Sequence, residues 1–571
     1  MRTAARWLLP EIDNARAETL ARELRAPSLV ARVLVGRGYA TAEAAAAFLN
    51  PRVEDLHDPY LLTGMREAVA RVRAAIERRE RILLYGDYDV DGTSSIVILM
   101  KAFELAGADA RYFVPNRLRD GYGMREEVIE QAARDSVALI VSVDTGIRAV
   151  AVVERARELG IDVIVTDHHL PEEALPPALA VLNPNRPDCG YPEKNLCGAG
   201  VAFKLVQALM DAIGWEPARV RALTESFLKM AAIATVADVV PLTGENRIIV
   251  HHGLSGMTKV RNAGLRALLQ VAGFKEGEEP TAGQVAFRIA PRINAAGRMA
   301  DAGQVIEMFL TADAEKALAI ARQLHEWNAE RQQTEADTLA ACLEARVEEA
   351  ERGLVFAGEG WHKGVVGIVA SRLVERYCRP VFVLGIDAET GQASGSGRSI
   401  EAFHLLDALE TMRDLFTKFG GHSHAAGVTL EAGRVAEFRT RLDNYARQRL
   451  GEEEIRPRLK VDAVASFGEL NDASVAQLLK LGPFGQGNAA PVIVTRNASI
   501  PFPPSVMKEK HLRFKASEGG RQLTMKAWNF AGRIEEFSMD RVFELAYVVE
   551  DDPFSAARGF APWSATLRDI R

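Results

Sequence analysis

The sequence predicts a chain of α/β units: a doubly wound parallel sheet first, then a smaller α/β lobe reached through a long helix, and an antiparallel β domain last. Three observations carry this. Short apolar runs at 82–85, 138–143 and 162–165 alternate with helical stretches, the pattern of strands buried on both faces of a parallel sheet. Positions 304–352 hold neither Gly nor Pro and are rich in Ala, Leu, Glu and Arg. Beyond 458 the apolar period changes to two, as at 511–515 and 522–528, which reads as antiparallel strands.

The elements follow in order. Residues 1–60 read as an N-terminal helical segment and 61–250 as the parallel-sheet domain. In that domain, helices at 94–105, 125–134 and 147–159 separate the strands, the first and last stopping at Gly107 and Gly160 as helices commonly do. Runs at 111–114 and 179–182 add two strands. Region 251–352 is helical and ends in a connector; capped by Thr311, a helix over 313–352 would run about 60 Å. The second lobe, 353–450, contains strands at 354–357 and 381–384, a helix at 365–377, and glycine-rich turns at 394–398 and 420–427. The β domain occupies 451–571.

Composition narrows the class. A chain of 571 residues, 48% hydrophobic and 26% charged, is globular and large enough for about three or four domains. No apolar run approaches the 18 to 20 residues of a bilayer span and the N-terminus lacks a signal-peptide core, so a cytoplasmic protein without a membrane partner is expected. Cys189, Cys197, Cys342 and Cys378 show no Cys-x-x-Cys spacing, which disfavours zinc ribbons and a disulfide framework. With a net charge of −7, a polyanion must be held by a local patch or by metal.

The chemistry lies where the three core strands end. The first runs into Gly86-Asp87-Tyr88-Asp89-Val90-Asp91-Gly92, the second into Asp144-Thr145-Gly146, the third into Asp167-His168-His169. Open α/β sheets bind ligands at the carboxyl ends of their strands, so these groups should share one cleft. Alternation would turn Asp87, Asp89 and Asp91 to one side, with glycines allowing tight turns around them. Carboxylates so close raise the cost of ionising one another, which a cation relieves; this donor set suits Mn²⁺ or Mg²⁺ better than Zn²⁺. Five or more candidates suffice for two divalent ions, the apparatus of phosphate-ester hydrolysis. Asp238, after an apolar helical run, would complete the site, and two ions would bring the net charge to about −3.

In this order Tyr-Gly-Asp-Tyr-Asp-Val-Asp-Gly, Val-Asp-Thr-Gly, Thr-Asp-His-His and Ala-Asp-Val-Val-Pro-Leu resemble the four motifs of the DHH phosphoesterase superfamily. Later segments sharpen this: Pro-Arg-Ile-Asn-Ala-Ala-Gly-Arg-Met from Pro291, Gly-Trp-His-Lys-Gly from Gly360, Gly-Ser-Gly-Arg-Ser from Gly395, Phe-Gly-Gly-His-Ser-His from Phe419 and Gly-Pro-Phe-Gly-Gln-Gly-Asn from Gly482. Together they resemble the RecJ family, single-strand-specific 5′ to 3′ DNA exonucleases, over nearly the whole chain. Lys363 departs mildly, standing where the family often has Pro.

The resemblance implies roles. Asp87, Asp89 and Asp144 would hold one ion, and Asp91, Asp144, His168 and Asp238 the other, with Asp144 bridging. His169 would face the scissile phosphate and Asp167 would orient a ligand histidine. The second lobe resembles a DHHA1 domain, where Ser396 and Arg398 would grip phosphate from a Ser-Gly-Arg turn, helped by His422; Arg117, Arg292 and Arg298 would contribute from the first lobe. The last domain resembles an OB fold, whose DNA-binding face would carry Arg513 and Lys515 with His511 on one strand, and Lys526 and Trp528 with Thr524 and Phe530 on the next, the usual means of tracking a single strand and stacking its bases. The implied activity is release of 5′ mononucleotides from single-stranded DNA, in recombination and repair, by a cleft that admits one strand but not a duplex. Family analogy adds a single-strand-binding protein and a RecQ-type helicase as partners of a monomer. The rival readings are a nanoRNA or cyclic-dinucleotide phosphodiesterase, which would end after the second lobe, an inorganic pyrophosphatase, disfavoured by Asp87, and a non-catalytic DHH scaffold, disfavoured by the intact ligand positions.

Overall fold

The computed structural model describes residues 5–116, 123–559 and 561–571. Helices α1 (Asn14–Leu24), α2 (Ser28–Gly36), α3 (Ala42–Leu49) and α4 (Met65–Arg78) precede the first sheet. Its strands are β1 (Arg81–Tyr85), β2 (Asp109–Phe113), β3 (Val137–Val143), β4 (Asp162–Thr166) and β5 (Ala180–Leu182), all parallel, in the order β2-β1-β3-β4-β5. Every apolar run expected as a strand is one, because only a doubly covered strand can bury Ile82, Leu84, Ile140, Val141, Ile164 and Val165 together. The strands are joined through α5 (Val90–Ala106), α6 (Glu126–Arg134) and α7 (Val150–Glu158). The order reverses between β1 and β3, the switch point where such sheets open a crevice.

Helices α8 (Gly198–Ile213), α9 (Pro217–Ala237) and α10 (Gly244–Gly256) follow, and a π-helical turn at Val285–Ile289 leads into α11 (Ala290–Met299). The long helix α12 is Ala314–Glu344, 31 residues or about 46 Å, shorter than the expected 313–352. Its cap is Asp313, whose carboxylate accepts from Glu315 and Lys316 N–H, and not Thr311. Beyond Glu344, the Glu351 and Asp443 carboxylates accept from the amides of Glu348 and Arg352, a competition that helix propensity cannot register.

The chain forms two compact units, one of residues 9–325 with 460–571, the other of 326–459 with the N-terminal residues up to Leu8. In the second unit, β6 (Leu354–Glu359), β7 (Val381–Asp387), β8 (Gln392–Arg398), β9 (Phe416–Gly421) and β10 (Ala425–Glu431) form a sheet in the order β9-β10-β8-β7-β6. Only β6 and β7 pair in parallel. Helices α13 (Val366–Tyr377) and α14 (Val435–Arg447) belong to it. Of the two expected glycine-rich turns, 420–427 does turn, at residues 422–424 between β9 and β10, whereas 394–398 is a strand. Residues 394–398 lie inside β8, paired on both sides, with Ser396 opposite Val383 and Gly427. The glycines serve close approach: a Cβ on Gly395 would stand 2.0 Å from Val383 O, and one on Gly397 2.4 Å from the Phe382 ring.

The last domain closes five strands, β11 (Ile493–Ser499), β12 (His511–Glu518), β13 (Arg521–Ala527), β14 (Val542–Asp551) and β15 (Trp563–Ile570), in the order β11-β14-β15-β13-β12, with Ser499 meeting Ser517 to shut the ring. Pairing among these five is antiparallel except β13 with β15. Leu512, Phe514 and Ala516 point inward and Arg513 and Lys515 outward, the period of two made physical. Helix α15 (Asp472–Leu479) lies beside the barrel, and one core joins Leu20, Val33, Leu34 and Phe48 of α1–α3 to Phe467, Leu545 and Tyr547. Among the described residues no helix is long and apolar enough to cross a membrane.

Candidate metal centre

Strand β1 ends at Tyr85, so its three aspartates are not arranged by strand alternation. Asp87 lies in the following turn, Asp89 is the N-cap of α5, accepting from Asp91 and Gly92 N–H at 2.9 and 3.0 Å, and Asp91 sits in the first helical turn. A turn converges them where a strand would have spread them. Gly86 and Gly92 are required for closeness: a Cβ on Gly86 would lie 2.4 Å from Ile96 Cδ1, and one on Gly92 2.5 Å from Asp87 O. Both Asp91 oxygens accept from the N-terminal amides of α8, Gly198 at 2.6 Å and Ala199 at 2.7 Å, which anchors a carboxylate at the positive end of a helix.

The remaining donors arrive from three other elements. Asp144, just past β3, takes φ +57, a conformation Asp tolerates better than most residues and one that active sites often store. His168 follows β4, and Asp238 caps the C-terminus of α9. His168 Nε2 stands 3.2 Å from Asp144, 3.7 Å from Asp91 and 3.8 Å from Asp238. Donor atoms fall into overlapping groups, each within 4.8 Å: Asp87, Asp89 and Asp144; Asp91, His168 and Asp238; and Asp144, His168 and His169.

Electrostatics marks the site as built for cations. Burial, reinforced by Asp91, Asp89, Asp87 and Asp238, pushes the Asp144 carboxyl well up. Burial, then Asp91 and Asp89, pushes Asp238 up to about 9, and burial and Asp91 raise Asp89. Asp144 Oδ1 is buried without a hydrogen bond, a group that costs free energy unless something charged completes it. His168 is lowered by burial, hence neutral and ready to ligate. The residues present fit two divalent ions.

Asp167 behaves differently. Burial would raise it, but the hydrogen bond and charge of His169 and the N–H groups of Ile147 and His169 hold it below the usual carboxylate range. His169 Nδ1 lies 2.7 Å from Asp167 Oδ1, while His168 reaches that carboxylate only through its backbone N–H at 2.7 Å. The ring Asp167 orients is therefore that of His169, and burial of His169 is outweighed by this bond, which raises its pKa.

These groups open on a cavity of about 320 Å³ lined by Asp87, Asp89, Asp144, His169 and Asp238, and also by Tyr88, Asn294 and Arg298. Asn294 accepts from Val90 N–H at 3.3 Å, and a Cβ on Gly297 would lie 2.7 Å from Tyr88 O, so α11 sits directly on the aspartate turn. Charge selects Arg292 and Arg298 alike from this stretch, yet Arg292 bonds Arg288 O and His325 and does not line the cavity, whereas Arg298 does. The signal that finds the lining residues is helical: Asn294 and Arg298 are four apart and share a face. Arg117 lies outside the described residues.

In the second unit, Arg398 donates to Ser396 Oγ at 2.7 Å and to Gly397 O, and Ser396 Oγ donates to Ala426 O. The Ser-Gly-Arg segment is strand interior, so its amides serve the sheet and the side chains must do any gripping. A Cβ on Gly367 would lie 3.1 Å from Arg398 Nη2, placing the guanidinium beside the first turn of α13. His422 closes the β9–β10 turn, donating from its backbone N–H to Ala425 O.

On the barrel, Arg513 faces Lys526 across β12 and β13. Lys526 is ion-paired to Asp552 at 2.8 Å and bonds Ser564, so it adds little free charge. Trp528, just past β13, is 47% exposed and packs edge-on with His511. Phe530, expected on the same face, is buried against Phe537, because the strand ends at Ala527 and the alternation with it.

Comparison with known proteins places this architecture. Residues 81–235 match the DHH family N-terminal domain, 350–448 the DHHA1 domain and 461–559 the RecJ OB domain. The chain is 38% identical over 536 residues to the single-stranded-DNA-specific exonuclease RecJ of Bacillus subtilis (strain 168), covering 93% of this chain and 66% of that one, just under two thirds. It is 37% identical over 552 residues to the protein of that name from Dickeya dadantii (strain 3937), covering 93% and 94%. The crystal structure of RecJ in complex with Mn²⁺ from Thermus thermophilus superposes with a TM-score of 0.84 at 31% identity over 100% of this chain and 80% of that one. The Mg²⁺ complex from the same organism gives 0.78 at 29%, over 99% and 78%.

Proposed function

We infer the function from kinship: this chain belongs to the RecJ family of single-stranded-DNA-specific exonucleases. It hydrolyses phosphodiester bonds of single-stranded DNA, working 5′ to 3′ and releasing 5′ mononucleotides, with Mn²⁺ or Mg²⁺ as cofactor. The observation that carries this reading is the convergence of five aspartates and His168 at the switch point of the sheet.

Asp87, Asp89 and Asp144 would hold one ion and Asp91, Asp144, His168 and Asp238 the other. Bound there, the ions supply a water acidified to near neutral pH and stabilisation of the attacking and leaving oxygens. The chain's own residues do the rest. The α8 amides fix Asp91, and the turn around Gly86 and Gly92 fixes Asp87 and Asp89 before substrate arrives, so no reorganisation is spent at the moment of reaction. Asp167 holds His169 by Nδ1 and favours its protonated form, in which Nε2 would donate to a phosphate oxygen. Asn294 and Arg298 orient the phosphate in the same cavity. Ser396, Arg398 and His422 would grip phosphate from the DHHA1 domain. Arg513, Lys515 and Trp528 would track the strand on the barrel. The terminal 5′ phosphate would be met by basic side chains of these sets, Arg117 among them. A single-strand-binding protein and a RecQ-type helicase are its expected partners, and a monomer in the cytoplasm its expected state.

The test is Asp144→Ala assayed on labelled single-stranded DNA with Mn²⁺. Loss of about 10³-fold or more, the upper range for one electrostatic group, is expected; activity within a few-fold of the parent would overturn the site. A strand lacking its 5′ phosphate should be cut more slowly, and equal rates would remove the terminal pocket.

A further inference from the structure

The segment that carries Asp238 away from α9 is held in an unrelaxed form. Val239 takes φ +59, a left-handed conformation unfavourable for a β-branched residue, and its side chain is 65% exposed, so its own packing does not hold it there. Strain of this kind persists only where the flanks are fixed. On one side lies α9. On the other, Leu242 N–H donates to Gln486 O at 2.8 Å, and Gln486 belongs to the Gly-Pro-Phe-Gly-Gln-Gly-Asn segment of the barrel domain.

That segment presses on the same two residues with no room to spare. A Cβ on Gly487 would lie 2.9 Å from Pro241 Cβ, at φ +68, and one on Gly485 2.7 Å from Leu242 Cδ1. Asn488 is buried and fully used: its amide nitrogen donates to Leu481 O and Pro483 O, and its oxygen accepts from Arg37.

The segment is in turn gripped from the catalytic side. Arg247, on α10, is 2% exposed, lies 3.9 Å over the Phe48 ring, and donates to Leu481 O at 2.9 Å and Gly482 O at 2.7 Å as well as to Phe48 O. Among the described residues no carboxylate pairs with it. The carbonyls of the turn that follows α15 take that role. Its neighbour Asn246 donates to Pro241 O and to Asn195 O, two residues before Cys197 and the amides that anchor Asp91.

We propose that segment 482–488 of the barrel domain is a positioning element of the metal centre, holding Asp238 in place through Pro241 and Leu242. The inference rests on the metal reading above. It gives the barrel a second task beside DNA binding and makes Gly487 and Gly485 positioning residues for a ligand about 250 positions away in the chain.

The experiment is Gly487→Ala in the full chain, with Mn²⁺ binding followed by titration calorimetry and by the resonance of free Mn²⁺, alongside kinetics on single-stranded DNA. Expected are a fall of about tenfold in Mn²⁺ affinity and in kcat, the range for lost ligand support, with KM within twofold. Unchanged Mn²⁺ affinity overturns the proposal, including when KM alone rises, since the segment would then serve DNA only. If Gly487→Ala does not fold, Gly485→Ala is read in its place. It meets only side-chain atoms of Leu242, Cδ1 at 2.7 Å and Cγ at 3.2 Å, so a smaller fall of about threefold supports the proposal and no change overturns it. A parent chain that took up no Mn²⁺ would overturn the metal reading and this inference with it, whereas uptake by the parent with equal affinity in the variant removes the inference alone.

Discussion

The metal centre and the barrel's basic face both gather charge, and the fold treats the two gatherings in opposite ways. At the centre, Asp87, Asp89, Asp91, Asp144 and Asp238 converge with a neutral imidazole between them, and burial pushes Asp144 and Asp238 up. On the barrel, Lys526 has its own carboxylate at 2.8 Å and Asp552 is held down to about 2. The centre is incomplete without a cation; Lys526 is already balanced. A charge left unpaired in a buried place points to a ligand, whereas a paired one near the surface points to stability.

Three measurements, in falling order of effect, put this contrast at risk. Within the centre, Asp167 is a buried carboxylate already held by the His169 ring and three backbone N–H groups, so it should behave as support and not as ligand. Asp167→Asn should lower kcat about 10- to 100-fold while Mn²⁺ affinity changes much less. An equal loss of Mn²⁺ affinity would make it a ligand.

The second measurement sets one substitution in two places. Asp144→Asn removes a buried like charge and suits the left-handed backbone, so with chelator present it should raise Tm by about 3 °C, while activity is lost. Asp552→Asn removes a paired charge and should lower Tm by about 1–2 °C. Calorimetry showing the same sign for both would end the contrast.

The smallest effects are on the barrel. Arg513→Ala and Lys515→Ala should each weaken single-stranded DNA binding and reduce the salt slope by about 0.7, and Lys526→Ala should do less than half of that. The Lys526–Asp552 pair instead serves stability. Its carboxyl is depressed, so the contribution is full above the ordinary carboxylate range and is lost as pH falls toward 2. At neutral pH it is worth about 1 kcal/mol at most, as for solvent-screened pairs. A Lys526→Ala chain equally destabilised at pH 2 and pH 7 would contradict the assignment.

How much of this was legible depended on which physical signal each feature leaves. Buried parallel strands leave apolar runs, so all five strands of the first sheet could be read, with bounds off by a residue or two. The glycines of β8 leave the same mark as a turn, and only the approach of Val383 O and the Phe382 ring distinguishes the two uses. Arg292 and Arg298 look alike by charge, but helical phase turns one to His325 and the other to the cavity. The His168–His169 pair is plain in the sequence, yet which ring Asp167 holds depends on side-chain direction at the end of β4.

The chemistry of the centre is written in the chain, because donor types and their positions at strand ends are local properties. What holds those donors in place is settled by the fold: the α8 amides on Asp91, α11 on the aspartate turn, and segment 482–488 on Pro241 and Leu242. These partners stand from about 100 to about 250 positions away in the chain. A contact between backbones so far apart depends on where two elements meet, and it leaves no periodicity in either.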